Sequence, residues 1–274
     1  MSPIDGSAGY SEYTNRVKQP ELVALLRIAA PIYLNTASKW RGTPLTIVDL
    51  TAGPGDTGGR DGSPLLLIAA FADLLTSKAP NKAVQAVIDQ WPTSDIRFVL
   101  CERNGGTASR LYEAIDQNPA AQIVGRDRIT VLAEDNASEL LRLGERAPGL
   151  VYWDGNPDDR IPLGALATLK RRSPRIDLLL NIAINGGFKR RREDPVPTVD
   201  ALLGLKDHWT LRHVASSNPQ QFVFLLGSNW LGDTNNWAKR LKRLDWRNCD
   251  PGQEGDVYLR GLCRGDDDQL EFDV

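Results

Sequence analysis

Leu45-Thr-Ile-Val-Asp-Leu-Thr-Ala-Gly-Pro-Gly55 is the stretch on which the reading of this chain turns. Its first half is a short apolar run ending in an acid, as in a strand buried on both faces of a parallel sheet. Its second half turns sharply. Gly53 and Gly55 reach backbone angles that other residues resist, and they let a ligand lie close against the main chain. A glycine-rich loop continues to Gly62. Ser63 then stands where a helix cap is expected, with Pro64 at the first helical position and a helix to about Ser77. Strand, glycine loop and helix in that order open an alternating β/α fold, whose ligands sit outside the carboxyl ends of the strands.

The pattern repeats downstream. Ile96 to Glu102, Ile129 to Ala133, Leu150 to Asp154 and Ile176 to Ile182 read as strands. Helices are predicted over Lys18–Asn35 (with Pro31 as a kink or early end), Asn81–Trp91, Thr107–Asp116, Ala137 to about Glu145, and Leu163–Arg171. Beyond Asn185 the alternation weakens into an insertion with some helix. Gln221–Leu226 reads as a further strand, Trp237–Leu244 as a basic amphipathic helix, and Asp256–Cys263 as a last strand. The expected fold class is α/β: a doubly wound, mostly parallel seven-stranded sheet with an antiparallel end.

Four successive strand ends carry polar residues: Asp49, Glu102, Asp135 and Asp154. One such acid can simply cap the next helix; four in succession, one beside a glycine loop, point to a ligand site. A carboxylate at Glu102 can accept two hydrogen bonds from ribose hydroxyls. Asp135 and Asn136 suit an adenine amino group or, equally, a helix cap. Asp154 and Asn156, at the end of Tyr152-Trp-Asp-Gly-Asn-Pro157, can orient a substrate amino group or accept a proton. Of the aromatics Tyr152 and Trp153, one is expected to pack in the core; the other either packs there too, the favoured reading, or offers a platform for a planar substrate. Gly186 and Gly187, after Asn181, suggest a loop over the cleft.

Other chemistries fit less well. Gly53-Pro-Gly-Asp-Thr-Gly58 matches Gly-x-Gly-x-x-Gly literally. Further glycines delay the helix, however, and the acid about 20 residues on, Asp73, falls mid-helix rather than at a strand end. No Gly-Lys-Ser/Thr follows the loop, so a phosphate-binding P-loop is not supported. Only two histidines are present, against a multi-histidine zinc site, and no metal site is expected. Three cysteines without a Cys-x-x-Cys pair suit a reducing, cytoplasmic setting. At 274 residues, with 41% hydrophobic and 25% charged, the composition is that of a globular protein, and no apolar run approaches the ~20 residues of a membrane span. The net charge of −2 demands no nucleic acid, yet basic clusters at 170–172, 189–192 and 239–243 indicate charge segregation that could serve one.

Asp49-Leu-Thr-Ala-Gly-Pro-Gly55 followed by Asp61-Gly-Ser-Pro-Leu65 resembles the opening motif of the three-Cys-motif partner proteins. Tyr152-Trp-Asp154, Leu179-Leu-Asn181 and Phe222 to Trp230 follow in the expected order, so the similarity extends over about residues 15 to 264. That family in turn resembles class I S-adenosylmethionine-dependent methyltransferases, of Rossmann-like type. The resemblance implies S-adenosylmethionine as cofactor, with Asp49, Gly53 and Gly55 framing its methionine part, Glu102 holding the ribose and Asp135 the adenine. Thr51, Ala52, Pro54, Arg103 and Asn136 are expected in the same cofactor site. Asp154, Asn156 and Asn181 become the catalytic candidates, acting on a nucleic acid base or nucleotide. The alternative is a catalytically inactive scaffold that engages nucleic acid or a partner protein. Two departures stand out: Thr51 replaces the family's usual aromatic, and strand four lacks the Asp/Asn-Pro-Pro-aromatic motif of nucleic acid amino methyltransferases. The expected organisation is an arm (1–15), one methyltransferase-like domain (16–264, with an insertion at about 185–218) and an acidic tail (265–274).

Overall fold

The computed structural model describes residues 18–39, 44–56, 59–77, 82–90, 96–133, 148–155, 161–184, 196–214, 222–229 and 236–264. The chain divides into two compact units, residues 1–136 and 137–274. The expected arm, the acidic tail and the predicted helix over 137–145 lie outside the described residues.

The first unit contains α1 (Gln19–Lys39), β1 (Leu45–Asp49), α2 (Ser63–Thr76), α3 (Lys82–Asp89), β2 (Ile96–Cys101), α4 (Gly105–Gln117), α5 (Pro119–Val124) and β3 (Ile129–Leu132). Its strands run in the order β3-β2-β1, all parallel. Every residue of β1 is buried, as expected of a strand with helices over both faces. In α1, Leu22, Leu25, Leu26, Ala29, Tyr33 and Leu34 form the buried stripe that the helical period predicts. Pro31 sits inside that helix without ending it. In α2, Leu65, Leu67, Ile68, Phe71 and Ala72 are buried, and the Phe71 ring meets Phe98 of β2 edge-on at 5.4 Å. Helix α4 starts two residues before the expected Thr107, because the Asn104 side chain caps it by accepting from Thr107 N at 3.0 Å.

The second unit contains β4 (Gly149–Asp154), α6 (Leu163–Arg172), β5 (Ile176–Ala183), α7 (Val196–Leu203), β6 (His208–Val214), β7 (Phe222–Ser228), α8 (Asn236–Lys242), β8 (Arg247–Asn248) and α9 (Glu254–Arg264). Strand order here is β4-β5-β7-β6-β8. β4 and β5 are parallel, whereas β7 runs antiparallel to both its neighbours, β5 and β6. The antiparallel strand therefore lies inside this part of the sheet, and the short β8 pairs antiparallel with β6 at the edge.

The α/β, mostly parallel reading holds, with two corrections. Eight strands are described rather than seven. His208–Val214, inside the expected insertion, is a strand that the sequence reading missed. Conversely, Asp256–Cys263 is not the last strand but most of helix α9. Gly255, Tyr258, Leu259 and Leu262 are buried at helical spacing while Val257 is exposed, so the period was 3.6 and not 2. Tertiary contacts explain both outcomes. A Cβ on Gly255 would lie 2.6 Å from the Asn248 carbonyl oxygen, so only glycine lets α9 approach β8 this closely. On the next turn Arg260 bonds Asp256 at 2.6 Å and Asp200 of α7 at 2.8 Å. Burial opposes the Arg260 charge, but these hydrogen bonds outweigh it and raise its pKa. Strand β6 is anchored by Trp209, whose indole N–H donates to the Leu203 carbonyl and whose ring covers Gly227 on β7.

Lys206, in the turn between α7 and β6, is a buried amine that donates to the Pro174 carbonyl at 3.3 Å. Burial pushes its pKa down to about 8; Asp177 and Asp207 pull it back up, and Lys170 adds to the fall. The folded state then binds this proton less tightly than the unfolded chain does. Stability should accordingly rise with pH between about 8 and 10.5, being weakest below that window. Denaturant unfolding across this range is expected to show the rise in the native protein. In Lys206→Met it should be absent.

Candidate functional site

In the first unit the site begins with a carboxylate that no solvent reaches. Asp49, at the end of β1, is fully buried. Its Oδ1 accepts from Thr51 N at 2.9 Å and its Oδ2 from the Ser63 hydroxyl at 2.7 Å. The expected role of Ser63 as helix cap is thereby corrected. Gly62 is the N-cap residue, with no side-chain cap, and Ser63 opens α2 while tying it to β1. Asp49 consequently shapes the loop from beneath. Two backbone bonds complete the frame: Ala52 N to Cys101 O at 3.0 Å, and Gly62 N to Gly55 O at 2.7 Å. At the outer bend, Asp56 Oδ1 accepts from Gly59 N and Arg60 N. Burial, and then the Asp56 charge, raise the Asp61 pKa beside it.

Glu102 lies half-buried just past β2. Its Oε2 accepts from Gly53 N at 3.1 Å and its Oε1 from Asn104 N at 2.7 Å. The carboxylate thus clamps the glycine loop of one strand to the helix start of the next. A carboxylate offers about four lone-pair positions, so two remain for further donors. Of the other loop residues, Thr51, Gly53 and Pro54 are half-buried and Ala52 is buried; Arg103 is exposed.

The two glycines differ in role. Both have positive φ, 63° at Gly53 and 80° at Gly55. A Cβ on Gly53 would meet nothing within 4 Å, so that side of the loop is open. A Cβ on Gly55 would lie 3.0 Å from Leu111 and 3.1 Å from Ala114 of α4. Gly55 therefore gives α4 room to pack closely against the loop. Gly53 lies on the open side, beside the Glu102 carboxylate.

In the second unit, Asp154 and Asn181 are register partners at the carboxyl ends of β4 and β5. Asn181 Nδ2 donates to Asp154 Oδ1 at 2.8 Å. Asp154 is half-buried, whereas Asn181 is only 1% exposed. Tyr152 and Trp153 are both buried, so neither is a platform for a planar substrate. The Trp153 indole folds back over Gly155, where a Cβ would collide with it.

Asp135, Asn136 and Asn156 lie outside the described residues, as do Gly186, Gly187 and the cluster 189–192. The clusters 170–172 and 239–243 occupy the final turns and ends of α6 and α8, where cations complement helix carbonyls. Arg171, Arg172, Lys239, Arg240, Lys242 and Arg243 are exposed, while Lys170 donates to the Gly204 carbonyl at 2.7 Å. The three cysteines are buried and form no disulfide. Burial raises the pKa of the Cys249 thiol, further raised by Asp256 and Asp250, which makes it a poor nucleophile. Among the described residues no helix is long and apolar enough to cross a membrane, and no cluster of His, Cys, Asp or Glu could hold a metal.

No family model matches the chain, and no curated protein does. Solved structures do. Protein LPL1258 from Legionella pneumophila superposes with a TM-score of 0.50 at 12% identity, over 85% of this chain and 94% of its own. A probable spermidine synthase from Corynebacterium glutamicum gives 0.50 at 13% identity, over 89% and 78%. A SAM-dependent methyltransferase from Agrobacterium tumefaciens reaches 0.43 at 10% identity, over 74% and 62%. With the two structures at a TM-score of 0.50 the chain shares a Rossmann-like α/β fold. At these identities the likeness extends to architecture and no further.

The glycine geometry predicts a contrast in stability. Gly55→Ala should destabilise by about 1 to 3 kcal/mol, since it adds overpacking against α4 to an unfavourable φ. Gly53→Ala bears the backbone term alone, about 1 kcal/mol. Equilibrium urea unfolding of both variants checks the order, which an equal loss would contradict.

Proposed function

We propose that this protein binds S-adenosylmethionine at the first unit's loop and transfers its methyl group to a nucleic acid base or nucleotide. The observation that carries the reading is Glu102, a carboxylate fixed by two backbone N–H groups at the end of β2, beside the open side of Gly53. Its two remaining lone-pair positions suit the adjacent hydroxyls of a ribose. Thr51, Gly53 and Pro54 supply an accessible loop surface for the methionine part, with Asp49 and Ser63 holding that loop in shape. Asp135 and Asn136 remain the proposed adenine contacts. The cofactor supplies an electrophilic methyl group on a sulfonium sulfur.

Methyl transfer asks mainly for near-attack geometry, not for a metal or a covalent intermediate. A chain with two histidines and three buried cysteines suits that demand. Asp154, with Asn156 and Asn181, would orient the acceptor. The exposed cations of 170–172 and 239–243, with the cluster 189–192, would engage phosphates. The motif resemblance to three-Cys-motif partner proteins supports the same cofactor, and a cytoplasmic setting goes with it. A second reading, a catalytically silent scaffold binding nucleic acid or a partner protein, draws on the missing Pro-Pro-aromatic sequence after Asp154.

Calorimetry on the purified chain tests the cofactor reading. Micromolar binding of S-adenosylmethionine or S-adenosylhomocysteine is expected, with none of NADH; absence of both adenosyl compounds would remove the proposal. Glu102→Ala should weaken S-adenosylhomocysteine by about 1.5 to 3 kcal/mol, roughly tenfold to a hundredfold. Affinity for single-stranded DNA or RNA should fall steeply with salt if the basic clusters neutralise phosphates, and a flat response would exclude them.

A further inference from the structure

Residues 265–274, Gly-Asp-Asp-Asp-Gln-Leu-Glu-Phe-Asp-Val, hold five acids and no lysine or arginine. They follow α9 and lie outside the described residues. The position of α9 therefore decides which part of the second unit they can reach. Arg212 and His213 are successive residues of β6, so their side chains leave opposite faces of the sheet. The Tyr258 hydroxyl of α9 lies 2.8 Å from His213 Nδ1, on one face. Arg212 pairs with Asp245, just past α8, at 3.1 Å on the other. Trp246 meets Phe224, the register partner of Arg212, on that second face too. The basic end of α8 is thus across the sheet from α9. Helices α7 and α6 share the face of α9. Trp209, on the same side of β6 as His213, donates to Leu203 of α7. Arg260 of α9 pairs with Asp200 of α7 at 2.8 Å, and Lys170 of α6 donates to the Gly204 carbonyl just past α7. The basic end of α6 is joined through α7 to the helix from which the acidic segment departs.

We propose that residues 265–274 dock on the basic end of α6, around Arg171 and Arg172, and compete there with nucleic acid phosphates. The docking stands on charge and placement; its consequence rests on the phosphate-binding role given above to cluster 170–172. Arg171 and Arg172 are exposed, with Lys170 and Arg175 half-buried beside them. Arg171 donates to Thr168 Oγ1 at 3.2 Å, and a guanidinium carries further N–H groups. The acids nearby, Asp177 and Asp207, both act on Lys206, which is bonded to Pro174 in the turn after α6. Ten residues extend to about 33 Å. From Arg264 back to Arg260 is about 6 Å of helix, as is Asp200 to Gly204. Packed helices lie about 8 to 10 Å apart, so the end of α6 is within reach of the segment. Exposed ion pairs are individually weak, but several on one tether act at high effective concentration. Phe272 adds a ring, and guanidinium planes stack on aromatic faces. Phosphates draw on the same arginines, so segment and nucleic acid exclude each other. The segment is a built-in competitor that only a dense polyanion displaces.

Zero-length carbodiimide coupling of the full chain tests the docking directly, because it joins a carboxylate to a lysine amine, with loss of water, only where the two touch. Mass spectrometry of the monomer band should find Lys170 joined to an acid of the segment. The link should vanish at high salt, which screens exposed charges, and in Arg171→Glu combined with Arg172→Glu. No link to Lys170, links to Lys239 or Lys242 alone, or a Lys170 link that persists in the double variant would overturn the proposal. Fluorescence anisotropy with an oligodeoxythymidine of about twenty nucleotides reads the competition. Asp266→Asn, Asp267→Asn, Asp268→Asn, Glu271→Gln and Asp273→Asn together should tighten its binding about threefold or more, as when a site is otherwise mostly occupied. Arg171→Gln with Arg172→Gln should abolish that gain. No gain, or an equal gain in that background, would show that the segment does not compete at α6. If no form binds the oligonucleotide, the phosphate role of the cluster falls and the competition with it, while the Lys170 link still decides the docking.

Discussion

Everything proposed for the first unit depends on one buried acidic side chain. The Asp49 carboxylate has lost its water and is held by the Thr51 amide and the Ser63 hydroxyl. Burying a carboxylate is tolerable only when its lone pairs are answered, and two of the answering groups belong to the loop and the helix that follow the strand. The end of β1, the turn at Thr51 and the start of α2 are fixed to each other in consequence. With those points pinned, Gly62 N reaches Gly55 O, Gly55 packs under α4, and Gly53 is left on the open side. The loop's shape follows from satisfying one buried carboxyl group.

Glu102 extends the same logic across strands. It takes one backbone N–H from the loop after β1 and one from the segment leading into α4. Such a carboxylate is positioned before any ligand arrives, which lowers the ordering cost of binding. Asp154 and Asn181 in the second unit differ in kind. Asn181 Nδ2 donates to Asp154 Oδ1, and the Asn181 carbonyl oxygen is buried without a hydrogen-bond partner. The Glu102 carboxylate, by contrast, is half-buried and anchored by backbone N–H groups.

The legibility of these features in the sequence was uneven, for physical reasons. β1, β4 and β5 announce themselves because strands buried on both faces are short apolar runs. The loop was legible because positive φ leaves few residues but glycine. What each glycine faces was not legible: Gly53 and Gly55 look alike in the sequence, and only α4 distinguishes them. Ser63 could be placed at a helix start by its type, but its hydroxyl is claimed by an acid fourteen residues earlier. β6 escaped notice because charges and histidines interrupt it, and its stability comes from Trp209 reaching Leu203 and covering Gly227. α9 was mistaken for a strand because its local alternation was apolar enough to read either way.

The sequence by itself determined the class of the fold, the glycine loop and the acids at the strand ends, because these rest on backbone geometry and on the two-sided burial of short strands. Tertiary structure alone decided which of those polar groups are answered and which are left open. Hydrogen-bond satisfaction depends on partners distant in the chain. Asp49, Glu102 and Asn181 are three polar side chains at three strand ends, whose hydrogen-bond partners the sequence does not reveal. Folding makes the first a buried brace, the second an anchored clamp with capacity to spare, and the third an acceptor still lacking its donor.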